Sequence, residues 1–334
     1  MTATDLETQV ERKSTAAALH DALDLAMAKD PKVLVLGEDV DDESGGGVFH
    51  VTQGLSSKYP DRVRSTPISE QAIVGAAIGA SLAGYRPVAE LMLIDFFAVA
   101  MDQIANHLAK LRYMSGGQTA VPVTIRTAAG GGMQFGAQHS EMLEAWVAHL
   151  PGLKVVMPSC AADAKGLLTA AIFDDDPVIV IEPSGLYYKK SAVPVGEHVV
   201  PIGVGDIKHP GSDVTLITYG PEVNVCLAAA EQLATEGIDA EVLDLRSLVP
   251  LDAELMLASV ARTKRAVVVH QAVRRGGVGA DIACLLHENL WGDLVAPVAR
   301  VTAPNTPVPY AAELEKAFLV DAVSVSDAVR RICA

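Results

Sequence analysis

The sequence predicts an α/β protein: a parallel sheet covered by helices in a larger first domain, then a smaller α/β domain. Three observations carry this. Short apolar runs alternate with stretches of helical periodicity along the whole chain. The runs are apolar on consecutive residues, as strands buried on both faces are. With 334 residues, 50% of them apolar, the chain is long enough for two domains with sizeable cores.

The elements follow in order. Ser14–Lys29 opens on Ser/Thr and continues with Ala/Leu periodicity, so it reads as a helix. Val33–Gly37 is an apolar run between charges, a buried strand. Ser69–Ala83 reads as a helix capped by Ser69, with Glu70 directly after the cap. Val88–Met92 is the next strand, and Phe96–Met114 the longest helix. Strands Val121–Thr127 and Leu153–Met157 follow. Helix Ala161–Phe173 is stopped by the turn Asp174-Asp175-Asp176-Pro177, and Pro177–Ile181 is a strand. Between Ser184 and Pro210 the texture changes: Pro194, Pro201 and Pro210 with several Gly leave no helical period. This divides the chain into 1–190, a linker 191–212, and 213–334. The second part reads strand Val214–Tyr219, helix Glu222–Glu236, strand Ala240–Asp244, helix Asp252–Thr263, strand Ala266–His270, a Gly-rich turn, helix Gly279–Glu288 and strand Val298–Val301.

Composition excludes several function classes. Asp and Glu number 41 against 26 Lys and Arg, a net charge of −15, so no broad basic face for nucleic acid or anionic membrane is expected. Phe, Trp and Tyr together number 15, too few for base-stacking platforms. Cys160, Cys226, Cys284 and Cys333 lie far apart with no CxxC, which is neither a disulfide framework nor a zinc site. Met1–Arg12 is acidic and lacks the apolar core of a secretory signal. No apolar stretch reaches the ~18 residues of a membrane span. The expectation is a cytoplasmic protein in a reducing compartment.

The common self-sufficient chemistries are missing. The sequence holds no GxxxxGK[ST], no GxGxxG after the first strand, no HExxH and no GxSxG. An α/β protein without them borrows its chemistry from a cofactor or from a second chain.

Seven stretches together point to one family: Gly37-Glu38-Asp39-Val40, Thr66-Pro67-Ile68-Ser69-Glu70, Gly84-Tyr85-Arg86-Pro87-Val88-Ala89-Glu90, Asp102-Gln103-Ile104, Tyr113-Met114-Ser115-Gly116-Gly117-Gln118, Gln138-His139-Ser140 and Pro151-Gly152-Leu153-Lys154-Val155-Val156. From about residue 12 to 330 the chain resembles the β subunit of the thiamine-diphosphate-dependent 2-oxo acid dehydrogenase first component, the family of pyruvate, branched-chain and acetoin dehydrogenase β chains. It resembles the acetoin type most, in Gly46-Gly47-Val48-Phe49, Glu90-Leu91-Met92 and the Asp174–Pro177 turn. The resemblance implies a transketolase-like pyrimidine-binding domain followed by a transketolase-like C-terminal domain. It also implies an α2β2 heterotetramer with the cofactor between chains. In such enzymes the α subunit holds the diphosphate and Mg²⁺ through Gly-Asp-Gly followed by Asn. Here Gly205-Asp206-Ile207 and Gly292-Asp293-Leu294 fail at the third position, so this chain should supply the aminopyrimidine half.

The resemblance assigns residues to that half. Glu70 corresponds to the carboxyl that shares a proton with the pyrimidine ring nitrogen, which activates the thiazolium carbon. Such a carboxyl works best in a dry site that favours its protonated form. Small residues after it (Ala72, Gly75, Ala76, Gly79, Ala80, Ala83) let another backbone approach. Taken singly, Glu70 is also what a helix's first turn commonly carries. Phe96 corresponds to an aromatic ring stacked on the pyrimidine, with Phe97 beside it as a rival. Glu38 corresponds to an acid in the network joining paired sites, and singly reads as a loop acid. His139, in a loop with Gly130, Gly131, Gly132 and Gly136, corresponds to the His that protonates a lipoyl dithiolane. Singly it reads as a loop His. Glu141 stands where relatives commonly carry Gln, a carboxylate able to raise the His139 pKa or alter the pocket. His149 reads as a packed structural His.

Some members hold a K⁺ by backbone carbonyls, and the matching positions are Val123, Ala171, Asp174 and Asp176. In the second domain His270-Gln271-Ala272-Val273-Arg274-Arg275 departs from the acidic pair usual there, which leaves that segment without an assigned role. The implied function is cleavage of a carbon–carbon bond beside a carbonyl in a small substrate, with acyl transfer to lipoamide on an acyltransferase core. The −15 charge suits a basic docking domain of that core, with Glu313, Glu315 and Asp321 as candidate contacts. Two alternatives stay open: a thiamine-diphosphate lyase or carboligase that releases aldehyde with no lipoyl partner, and a non-catalytic subunit that positions a partner.

Overall fold

The computed structural model describes residues 9–334. Its strands are β1 (Val10–Ser14), β2 (Val33–Glu38), β3 (Val63–Thr66), β4 (Arg86–Leu93), β5 (Thr124–Ala129), β6 (Lys154–Val156), β7 (Val178–Pro183) and β8 (Lys190–Pro194). Then come β9 (Asp206–His209), β10 (Val214–Thr218), β11 (Ala240–Asp244), β12 (Ser247–Val249), β13 (Ala266–Val273) and β14 (Ala299–Ala303). The larger sheet runs β12-β6-β7-β5-β4-β2-β3, parallel except for β12. The second runs β14-β13-β10-β11-β9, parallel except for β9. The fold is therefore α/β with two mostly parallel sheets, as the apolar runs predicted.

Both faces of the larger sheet are dry. Val33, Val35, Val178 and Val180 pack with Leu19, Leu23, Leu167 and Leu168 from helices Thr15–Lys29 and Ala161–Ile172. Leu36, Ile179 and Ile181 point the other way, to Ile73 and Ala77 of helix Glu70–Leu82. Consecutive apolar residues thus serve opposite faces, which is why these strands read as runs. The core continues into the second unit through Ile217, Leu243 and Val268, without a break at the linker.

Several elements depart from the sequence reading. The stretch Phe96–Met114 is not one helix. It is a 3₁₀ turn Ile94–Phe96, an α-helix Phe97–Asp102, a π-helical turn Gln103–Leu108 and a short helix Leu111–Met114. Apolar residues continue through all four, so composition gives no sign of the breaks. Ser69 holds the capping position but makes no side-chain cap bond. The segment 191–212 is not wholly free of structure, because β8 pairs with β1 and β9 joins the second sheet. The C-terminal helices Ala312–Phe318 and Ala322–Cys333 had no counterpart in the sequence reading. No helix among the described residues is long and apolar enough to cross a membrane.

Candidate active site

Four of the residues singled out above collect at one edge of the larger sheet. Glu38 ends β2, and Glu70 begins the helix that follows β3. Phe96 closes the 3₁₀ turn after β4, and His139 lies on the segment after β5. Those strands are neighbours in the order β5-β4-β2-β3. All four residues therefore stand at the carboxyl ends of adjacent parallel strands, where open α/β sheets place ligands.

Glu70 is buried, 9% exposed, at the first position of its helix. Glu38 is half-buried, and burial pushes its carboxyl above the usual range, with the charges of Asp39 and Glu70 adding to the shift. The two acids thus share one field. The Phe96 ring meets the His139 imidazole edge to face, with centroids 5.5 Å apart and planes at 87°. Phe96 is only partly buried, whereas Phe97 is 1% exposed in the core. Of the two, only Phe96 has a face available to a flat ring. His139 is exposed, and its N–H donates to the Gly136 carbonyl at 3.2 Å. On the helix that Glu70 begins, the small residues Ala72, Ala76 and Gly79 are exposed, as is Ala83 at its end.

Asp95 was missed in the sequence, although an acid directly after a buried strand and before Phe96 was a usable signal. Burial raises its carboxyl against the pull of backbone N–H groups and of His139. The Glu141 N–H faces Asp95 Oδ1 at 3.4 Å, and burial followed by the Asp95 charge raises the Glu141 carboxyl. Glu141 therefore belongs with Asp95 in an acidic pair beside His139. His149 is exposed rather than packed, and lines a 620 Å³ cleft with Trp146, Leu248 and Val278.

Beneath the site lies a buried ion triad. Arg126 on β5 donates to both oxygens of Glu182 on β7, at 2.9 and 2.7 Å, and also contacts Glu90 on β4. The Tyr187 hydroxyl donates to Glu182 at 2.5 Å. Sequence reasoning noted Glu90 only as a motif residue.

Three of the K⁺ positions use their carbonyls in hydrogen bonds within the chain. The Asp174 carbonyl accepts from Arg86 Nη1 at 2.9 Å, the Ala171 carbonyl from Asp174 N at 3.2 Å, and the Val123 carbonyl from Val178 N at 3.0 Å. Lys154 holds the Asp174 carboxylate at 2.7 Å and approaches Asp176 at 3.3 Å. Arg86 and Lys154 thus stand beside two of these positions. Among the described residues no group of three His, Cys, Asp or Glu is arranged to hold a metal. The site brings a buried carboxyl and a part-exposed aromatic face to the same edge of the sheet. Of the candidate docking acids, Glu315 is 4% exposed and turned inward, and Asp321 caps the last helix by accepting from Ser324 N at 2.8 Å. Glu313 is exposed.

Comparison with known proteins agrees with this geometry. Residues 11–190 match the family model "Transketolase, pyrimidine binding domain", and residues 203–325 match "Transketolase, C-terminal domain". The chain is 45% identical over 326 residues to the acetoin:2,6-dichlorophenolindophenol oxidoreductase subunit beta of Cupriavidus necator, covering 95% of this chain and 96% of that one. It belongs to the E1 β-subunit family of thiamine-diphosphate-dependent 2-oxo acid and acetoin dehydrogenases. The Bacillus subtilis protein of the same acetoin name is 46% identical over 92% of this chain and 93% of its own length. The pyruvate dehydrogenase E1 component subunit beta of Bacillus subtilis is 42% identical over 94% and 97%. Among solved structures, a split-gene transketolase described as an inactive beta4 tetramer superposes with a TM-score of 0.76 at 26% identity, covering 96% of this chain and 98% of that one. Membership in a β-subunit family implies an α-subunit partner and involvement of thiamine diphosphate. Relatives that differ in substrate lie close together in identity, so membership does not fix the substrate.

Proposed function

We propose that this chain is the pyrimidine-side half of a two-chain enzyme that cleaves the bond beside a carbonyl in a small 2-oxo acid or in acetoin, and passes the acyl group to lipoamide. The observation that carries the reading is the gathering of Glu38, Glu70, Phe96 and His139 at adjacent strand ends. When bound, thiamine diphosphate supplies the carbon that attacks the substrate carbonyl and holds the electron pair released as the bond breaks.

The chain's residues do the rest. Glu70, buried at its helix start, shares a proton with the pyrimidine ring nitrogen. Glu38 ends the neighbouring strand as a second acid close by, its own carboxyl raised by burial and by the charges of Asp39 and Glu70. The Phe96 ring covers the pyrimidine face and excludes water. His139, exposed at the mouth, delivers a proton to the dithiolane sulfur as the acyl group arrives. The α chain holds the diphosphate and Mg²⁺.

The test uses the assembled α/β enzyme, assayed with a lipoyl domain and separately with an artificial dye acceptor. His139→Ala is expected to lower lipoyl-dependent turnover about a hundredfold more than dye-coupled turnover, since a dye needs no proton on sulfur. Equal losses would place His139 elsewhere in the reaction. Failure of the unaltered enzyme to acylate any lipoyl domain, with aldehyde released instead, would make it a free-standing lyase.

A further inference from the structure

The segment that carries His139 is rich in glycine, with Met133 and Phe135 as its apolar contacts to the core. Gly130, Gly132 and Gly136 sit at φ of +87°, +105° and +77°, a region L side chains rarely adopt. Such a loop is fixed through its backbone or left loose. Three of its amides are taken up by two side chains from the C-terminal unit. Gln271 Oε1 accepts from Gly131 N at 2.8 Å. Glu315 Oε1 accepts from Gly132 N at 2.9 Å and from Gln134 N at 3.1 Å, with Oε2 at 3.2 Å from the latter. Both side chains are buried, at 6% and 4% exposed.

Packing reinforces the same grip. A Cβ on Gly131 would come within 3.2 Å of Leu319, and one on Gly136 within 3.3 Å of the Tyr310 ring. The loop then returns through the His139 N–H to Gly136 O bond, and the imidazole stands against Phe96.

We propose that Gln271 and Glu315 are positioning residues that fix the glycine loop and thereby place the His139 imidazole. The proposal rests on the acyl-transfer part assigned to His139 above. The chemistry suits each residue to its place. A carboxylate at 315 can accept both backbone donors, its own side chain being buried. An amide at 271 accepts from Gly131 while its Nε2 donates to Glu222 Oε1 at 3.2 Å. A carboxylate at 271 has no N–H to donate to Glu222 in that second bond.

The experiment uses the assembled α/β enzyme carrying Gln271→Ala, Glu315→Ala or Glu315→Gln. The last keeps the volume and one acceptor should the alanine variant fail to assemble. Two quantities are read: hydrogen exchange of the 130–136 amides, and the ratio of lipoyl-dependent to dye-coupled turnover. Exchange should accelerate by about tenfold or more as the anchored amides open. The ratio should fall by about tenfold or more from misplacement of the imidazole. Combined with His139→Ala, the anchor substitutions should lower the ratio no further. Unchanged exchange overturns the proposal, and so does faster exchange with an unchanged ratio when His139→Ala alone lowers it. An unchanged ratio in His139→Ala overturns the reading of His139 itself, and with it the anchors' part in acyl transfer.

Discussion

At the residue scale, the decisive groups are acids held where water is scarce. Glu70→Gln should abolish proton exchange at the thiazolium carbon in the assembled enzyme while leaving assembly intact, because the amide cannot share a proton with the ring nitrogen. Near-normal exchange, followed by NMR in deuterated buffer, would mean another group activates the cofactor. Glu222 is a separate case. Burial pushes its carboxyl up to about 8, so it folds neutral and loses its proton on unfolding near neutral pH. The stability linked to that proton is complete below the unfolded pKa near 4.5 and drains away as pH rises toward 8. Glu222→Gln removes the linkage, so at pH 7 it should be more stable than the native chain by roughly 3 kcal/mol, with the gap closing toward pH 5. Urea midpoints across that range check it, and a gap that widens toward acid would contradict it. Glu70 and His139 stood out in the sequence because each sits in a short motif, and Phe96 through the family resemblance alone. Gln271 and Glu315 were not, since they reach the loop from 140 and about 180 residues away, and no local pattern records that. Glu315 looked like a surface acid in a charged stretch for the same reason.

At the scale of elements, the central strands β4, β5 and β7 are tied by more than their ladders. Arg126 is 2% exposed and bridges Glu90 and Glu182 in that triad. Arg126→Met would leave two carboxylates facing each other in the sheet, with an expected cost of about 3–5 kcal/mol. Replacing both acids as well, as Glu90→Gln with Glu182→Gln, should recover much of that loss, because the desolvation penalty goes with the charges. Urea denaturation of the single and triple variants reads both effects. A single variant as stable as the native chain would show that the triad does not hold the strands. The strands themselves were legible, since burial on both faces favours consecutive apolar residues, as in Val178–Ile181. The run from 94 to 114 was not, because a π-helical turn shifts the register of a helix without changing its composition. The edge strands β9 and β12 escaped as well, one polar and one only three residues long.

At the scale of the whole molecule, the two units are stitched together. Strand β12 leaves the C-terminal unit to pair with β6 of the larger sheet. Lys208 and Arg246 each meet Asp163 at 2.8 Å from across the boundary. A C-terminal unit joined in this way can carry anchors for a loop of the first unit. The division into two α/β units was visible in the change of texture near 184–212, whereas the stitching depends on pairings distant in sequence. The central claim is that this chain presents half of a cofactor site, with Glu70 and Phe96 for the pyrimidine ring and the diphosphate–Mg²⁺ ligands left to a second chain. Calorimetric titration with thiamine diphosphate and Mg²⁺ tests it most directly, on this chain alone and again with its α subunit. The account predicts no saturable heat from the isolated chain and micromolar binding once the two are combined. Micromolar, Mg²⁺-dependent binding by this chain alone would contradict it.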